Sequence, residues 1–293
     1  MAATRTVTLA DGRRLVVATY GPQSGHPVLY LHGTPSAHGE WEVFGSDALL
    51  EQSGLRVVAP DRPGMGGSTF KPRRRIGDWP ADASALADAL GIGRFSVLGY
   101  SGGGAYAIAT ALLLPERVAA LALVAPVVHE TAVMSEGLDR GSLRIKEMAR
   151  ERPRLARLLL TLTMALPSRH APALLFRQMR RTLPPIDWQA ISQGDRLQRF
   201  VSVLRDAFRH GGAGAQRDMA LMSSPWDFPL TAAQMPVQIW QGAFDNIGAR
   251  PAMARYLGEA LEATAVHILP EGHISILTTH LQEILRSLVP VRR

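Results

Sequence analysis

Short apolar runs alternating with helix-length patterns constrain this chain more than any other feature. Residues 28–31 (VLYL) and 57–59 (VVA) are wholly apolar, as expected of strands covered on both faces. Between them, 41–52 has helical length and ends at Ser53-Gly54, a stop signal. Residues 82–90 repeat apolar positions at helical spacing, and 95–98 read as another buried strand. An Ala/Leu-rich helix then runs to Leu114 and stops at Pro115, and 118–124 form one more strand. Ahead of all these, 6–9 and 15–20 flank Asp11-Gly12 as a hairpin. Strands alternating with helices predict an α/β domain with a mostly parallel central sheet flanked by helices.

The pattern changes after Pro126. Residues 127–225 hold helical stretches, many arginines and hardly any strand signal. Within them, 155–166 and 173–179 read as helices apolar over most of their surface, and 211–215 (GGAGA) reads as a flexible break. Strand signals return at 237–240 and 266–269, and 274–288 close the chain as a helix. The expected organisation is an α/β core from 1–126 and 226–293, interrupted by a helical cap or lid over 127–225. With 46% apolar residues the chain has ample material for a core, so whole-chain disorder is excluded. It has no cysteine, which excludes disulfides and thiolate metal sites. No apolar run of signal-peptide length follows Arg5, and the longest apolar stretches are too short for a membrane span. A cytoplasmic protein is expected, and the sequence carries no signal for an oligomeric state.

The chemistry concentrates at Gly99-Tyr100-Ser101-Gly102-Gly103. Gly-x-Ser-x-Gly alone is a weak pattern, but here it follows a strand and opens a helix. A serine on that sharp turn has strained backbone and an exposed hydroxyl, and small neighbours two positions away on each side permit the turn. The rival, a phosphate-binding loop, would need Gly-Lys-Ser/Thr, and no lysine is present.

A serine nucleophile needs a base, and the base needs an orienting acid. Of nine histidines, His273 lies on the loop between the last strand and the last helix, so it is the expected base. His267 and His280 sit within those elements and read as structural. Asp245 follows the strand at 237–240, at the sheet edge where catalytic groups of parallel sheets gather, and is the expected acid. Glu130 is its rival, and Asp61 reads as structural. Acyl transfer also needs oxyanion donors. The backbone N–H groups of Gly102 and of Thr34, in His32-Gly33-Thr34-Pro35, are the candidates. His32, Tyr100, Leu159, Leu175 and Phe176 are candidate substrate contacts, although packing equally explains the apolar ones. No metal or cofactor is expected.

His32-Gly-Thr-Pro, Asp61-Arg-Pro-Gly-Met-Gly-Gly-Ser68, Gly99-Tyr-Ser-Gly-Gly, Gly242-x-x-Asp245 and Gly272-His273 together resemble the α/β-hydrolase superfamily. The resemblance covers 1–126 and 226–293. It implies an eight-stranded sheet, a helical cap inserted after the sixth strand, and Ser101, Asp245 and His273 as a triad. One departure is Ala243, where relatives often carry an acid. Serine at the elbow points away from dehalogenase and epoxide hydrolase chemistry, which use aspartate there. The expected activity is hydrolysis of a carboxylic ester or thioester of a small hydrophobic substrate. A cofactor-free C–C hydrolase, lyase or cyclase is the alternative; an aminopeptidase or a silent binding protein ranks below both.

The chain carries +7, from 30 arginines and two lysines against 25 acidic residues. Residues 127–225 hold 16 of the basic and 9 of the acidic groups, so the whole excess lies in the insertion. A nucleic-acid partner is not expected, because no binding fold accompanies the charge. A small-molecule substrate, anionic or linked to an acidic carrier, is the partner such a charge would steer. An arginine-rich composition explains the same number without function.

Overall fold

The protein is described from a computed structural model over residues 3–129 and 140–290. Eight strands form one sheet: β1 (Ala3–Thr8), β2 (Arg14–Tyr20), β3 (His26–Leu31), β4 (Leu55–Pro60), β5 (Phe95–Tyr100), β6 (Val118–Val124), β7 (Val237–Gly242) and β8 (Ala265–Leu269), in the order β1-β2-β4-β3-β5-β6-β7-β8. β1 and β2 pair antiparallel, β2 pairs antiparallel with β4, and every later pairing is parallel. All six residues of β5 are buried, as are four of six in β3. This explains the apolar run VLYL of β3 and the mainly apolar β5, where the buried Ser96 hydroxyl donates to the Leu288 carbonyl.

Helices α1 (Glu40–Phe44), α2 (Asp47–Ser53), α3 (Trp79–Ala89) and α4 (Gly103–Leu113) accompany the first six strands. The single helix expected over 41–52 is two. Gly45 adopts an extended backbone that stops α1, and the Ser46 hydroxyl accepts the Leu49 N–H to start α2. The helix expected from 82 begins earlier, at Trp79, with Pro80 in its first turn. Between β6 and β7 lie α5 (Arg140–Glu151), α6 (Pro153–Leu160), α7 (Leu166–His170), α8 (Pro172–Thr182), α9 (Pro185–Ile191), α10 (Arg196–Ala207) and α11 (Ala213–Met222). A π-helical turn, Thr161–Ala165, joins α6 to α7 just ahead of Pro167, which has no N–H to donate. α12 (Pro251–Ala260) and α13 (Ser275–Ser287) complete the chain; α12 had no separate sequence signal.

Two apolar clusters hold these parts. The larger spans the sheet and its helices. The smaller joins the helices between β6 and β7 around Leu160, Leu175, Leu204 and Phe208, and reaches the sheet edge through Val127 and Met222. The helices at 155–166 and 173–179 are more two-faced than their composition suggests. Leu160 and Leu175 are buried, whereas Leu158 and Leu174 are more than half exposed.

The GGAGA segment is not a flexible break. Gly211 makes a left-handed turn, Ala213 starts α11, and Gly214 and Ala215 are buried. A Cβ on Gly214 would lie 2.2 Å from the Gly64 carbonyl oxygen, so glycine there lets α11 touch the backbone of the loop after β4. Gly214→Ala is expected to cost about 1–3 kcal/mol, the usual range for forced overpacking. Gly93→Ala, which meets no atom within 4 Å and has no positive φ, serves as the reference. Urea midpoints check this: equal midpoints for the two variants would refute the close contact.

Candidate active site

The parallel strands end at one edge of the sheet, and the loops leaving that edge carry the residues of interest. Ser101 follows β5 with φ +51°, a left-handed backbone that is strained for a non-glycine residue. The strain is held by close packing: a Cβ on Gly103 would lie 1.9 Å from the Leu31 carbonyl oxygen. Only glycine lets the start of α4 press against the end of β3. The first turn of α4 lies immediately behind Ser101, and its partial positive charge favours an anion there.

His273, after β8, directs Nε2 to the Ser101 hydroxyl at 3.0 Å and Nδ1 to Asp245 Oδ2 at 2.7 Å. The protonated Nδ1 donates to the carboxylate, which leaves Nε2 to accept from the serine O–H. Asp245, after β7, is fully buried. Its carboxylate also accepts the Ile247 N–H at 3.0 Å and the Gln241 side-chain amide at 3.2 Å. Burial acts to lower the His273 pKa, but the charge and hydrogen bond of Asp245 outweigh it, so the net shift is upward. Glu130, the rival acid, lies outside the described residues.

The loop after β3 runs alongside the serine. A Cβ on Gly33 would stand 3.6 Å from Ser101 Cβ, and one on Gly102 would stand 2.6 Å from Thr34 Oγ1. Gly33 gives its own N–H to the buried Glu40 carboxylate at 2.8 Å. Among the described residues, the N–H groups of Thr34 and Gly102 have no hydrogen-bond partner.

The substrate-contact candidates fare differently. His32 is fully buried: it donates from Nδ1 to the Gly33 carbonyl at 2.8 Å and accepts the Arg62 N–H at Nε2. Burial and the nearby Arg62 charge lower its pKa to about 3, so it is a neutral strut of the loop and not a substrate contact. Tyr100 also supports. Its ring stands 5.4 Å from that of His273, and its O–H donates to the His273 carbonyl at 3.2 Å. Leu175 is 3% exposed in the smaller apolar cluster, with Phe176 packed against it, so packing explains both. Leu159 is half-buried on α6.

Several residues at the site had no sequence signal. A Cβ on Gly248 would stand 3.4 Å from His273 Cε1 and 4.0 Å from Ser101 Oγ. Met222 brings its sulfur within 2.7 Å of a Cβ placed on Gly102. Val127, Met222 and Gly248 thus give the site apolar walls. Asp218 on α11 is fully buried between two arginines: it pairs with Arg62 at 2.8 Å and with Arg74. Burial alone would raise its pKa, and the two guanidinium charges reverse that to a lowered value. Arg62 in turn donates to the His32 carbonyl, to the Gly33 carbonyl at 2.9 Å and to Thr34 Oγ1 at 2.6 Å. Asp187 on α9, also fully buried, accepts the backbone N–H groups of His273, Ile274 and Ser275. Asp61 holds the His38 N–H and ring and the Gly67 N–H, in line with a structural role.

A family model described as the alpha/beta hydrolase fold matches residues 26–279. A non-heme chloroperoxidase of Streptomyces lividans is 34% identical over 138 residues, 45% of this chain and 49% of that protein. A 2-hydroxy-6-oxo-2,4-heptadienoate hydrolase of Pseudomonas putida is 31% identical over 40% of this chain and 42% of its own. The chain spans about half the length of these curated relatives, or less. A solved hydrolase structure from Pseudomonas aeruginosa superposes with a TM-score of 0.71 at 19% identity, over 98% of both chains, which is a likeness of fold. The eight-stranded, mostly parallel sheet, the serine turn after β5 and the match across 26–279 make this chain a member of the alpha/beta hydrolase family.

Proposed function

We propose that the protein is a serine hydrolase acting on carboxylic esters or thioesters of small, largely apolar substrates. The observation that carries this reading is the continuous hydrogen-bonded line from Ser101 through His273 to Asp245, with 3.0 and 2.7 Å links. Ser101 Oγ attacks the carbonyl carbon while its proton passes to His273 Nε2. Asp245 keeps the imidazole in the receptive tautomer and stabilises the imidazolium. The N–H groups of Thr34 and Gly102 donate hydrogen bonds to the carbonyl oxygen as negative charge develops on it. His273 returns the proton to the leaving group, the acyl-enzyme forms, and a water activated by the same histidine releases the acid. The apolar walls at Val127, Met222 and Gly248 suit an uncharged acyl group next to the reacting carbon. The helices of 127–225 act as the cap over this edge, and their surplus of arginine draws an anionic or carrier-linked substrate toward it.

A second reading keeps the same residues but breaks a C–C bond next to a ketone. It is favoured by the relative named as a heptadienoate hydrolase. In that reaction the leaving group is a carbanion that must be protonated, and His273 Nε2 is the group placed to do so.

Turnover of p-nitrophenyl esters of graded chain length, with fluorophosphonate labelling, tests the first reading. Ser101→Ala is expected to abolish labelling and to lower kcat by a factor on the order of 10^6. Labelling that survives in Ser101→Ala would sink the assignment. Labelling without turnover of any ester or thioester would move the choice to C–C chemistry.

The pH dependence follows from His273. The base must be neutral to accept the serine proton, and its pKa lies above the ordinary 6.5 in the folded protein. kcat/KM for an uncharged ester is therefore expected to rise with pH through a midpoint above 6.5. In Asp245→Asn the group that raises the pKa is gone, so the midpoint moves down while kcat falls by about 10^4-fold. A wild-type profile that is flat or falling between pH 6 and 8 would contradict His273 as the base.

A further inference from the structure

Two fully buried carboxylates reach the site from helices that the triad does not use, Asp218 from α11 and Asp187 from α9. Asp218 acts through Arg62 on the loop that carries Thr34. Asp187 acts directly on the loop that carries His273. Its Oδ2 accepts the His273 N–H at 2.9 Å, and its Oδ1 accepts the N–H groups of Ile274 at 2.8 Å and Ser275 at 2.9 Å. These are donors that the start of α13 leaves unpaired, and α13 has no side-chain cap of its own. A residue 86 positions earlier in the chain therefore performs the capping.

The consequence for the histidine is geometric. Its ring is fixed by Asp245 at Nδ1, its carbonyl oxygen by the Tyr100 hydroxyl, and its N–H by Asp187. Removing the third hold frees the backbone torsions that set the distance from Nε2 to Ser101 Oγ. The space around Asp187 is tight as well: a Cβ on Gly272 would lie 2.3 Å from Asp187 Oδ1.

We propose that Asp187 is a positioning residue for the hydrolase reaction, clamping the backbone of His273 so that α9 helps to set the alignment of base and nucleophile. The proposal rests on the reading of Ser101, His273 and Asp245 as the reacting groups. It differs from mere support of the fold in two ways. A shift of Nε2 by a fraction of an ångström lowers the rate of proton transfer without weakening substrate binding. The carboxylate also adds negative charge near the imidazole. The charged and polar groups acting on that ring are Asp245 from the loop after β7, Asp187 from α9, Lys146 from α5 and the Ser101 hydroxyl just after β5, while the Tyr100 hydroxyl meets the His273 carbonyl oxygen.

The test compares wild type, Asp187→Asn, Asp187→Ala and Ser101→Ala. It measures kcat and KM for p-nitrophenyl butyrate from pH 5 to 9, the rate of fluorophosphonate labelling per folded molecule, and the 15N titration of His273. Asparagine keeps one acceptor oxygen and loses the charge. It is expected to lower kcat about 10-fold, and alanine about 100-fold, with KM little changed and labelling slowed by the same factors. The midpoint of the rise in kcat/KM and the His273 titration should both move to lower pH, because a negative charge that favoured the imidazolium has gone. If Asp187→Ala does not fold, Gly272→Ala displaces the carboxylate without deleting it and should give the same loss in kcat. Unchanged kcat and midpoint in the asparagine variant would overturn the proposal. So would an activity loss that vanishes once rates are referred to the folded fraction. Labelling that persists in Ser101→Ala would instead overturn the underlying triad reading, and the role of Asp187 with it.

Discussion

The carboxylate of Asp218 between the guanidinium groups of Arg62 and Arg74 is the interaction on which the rest of the site leans. All three groups are withdrawn from water, where an unpaired charge would be costly, so each is kept in place by the others. Removing one partner from such a cluster costs about 3–5 kcal/mol, because the remaining charges are stranded. The cluster also joins parts that are far apart in sequence. Asp218 comes from the helices between β6 and β7, Arg62 from the loop after β4, and Tyr106 on α4 adds a 2.6 Å hydrogen bond to Asp218. Because Arg62 also grips two carbonyls of the loop after β3, the N–H groups of that loop must turn the other way.

The site as a whole follows one logic: each residue of the Ser101–His273–Asp245 line is held by a partner outside it. Gly103 and its contact with β3 hold Ser101 in its left-handed turn. Gln241 and backbone N–H groups hold Asp245. Glu40, buried and bonded to the Tyr30 hydroxyl at 2.7 Å, takes the N–H of Gly33. That commits the Gly33 N–H, whereas the Thr34 N–H has no partner among the described residues. Preorganisation of this kind spares the reorganisation that water would otherwise impose when charge develops.

The inserted helices are bound into the core more tightly than a loose cover would be. α10 packs on α1 and α9 on α13, while α11 brings Gly214 into contact with the backbone at Gly64. Their apolar cluster explains Leu175 and Phe176, which the sequence had offered as substrate contacts. Apolar residues at helical spacing look alike whether they line a pocket or a core, and only the position of neighbouring helices separates the two.

The sequence by itself marked the strands of the sheet, the alternation of strands with helices up to β6, and Ser101, Asp245 and His273 as candidates, while it merged α1 with α2 and missed α12. Those signals are local: an apolar run, a glycine-framed turn, a polar residue just past a strand end. The parallel sheet then collects every such strand end at one edge, so residues 144 and 28 positions apart in sequence had to converge. Tertiary structure alone decided what surrounds them. His32 stood as a candidate substrate contact in its loop but is fully buried, bonded to the Gly33 carbonyl and to the Arg62 N–H. GGAGA looked flexible but is a contact surface, since glycine serves both purposes and only the approaching backbone tells which. Asp187 and Asp218 look like ordinary polar residues within helices, and their importance comes from partners that the fold brings to them across 86 and 156 positions of chain. No local pattern encodes such a pairing, because a buried carboxylate is specified by the donors around it and not by its neighbours in sequence.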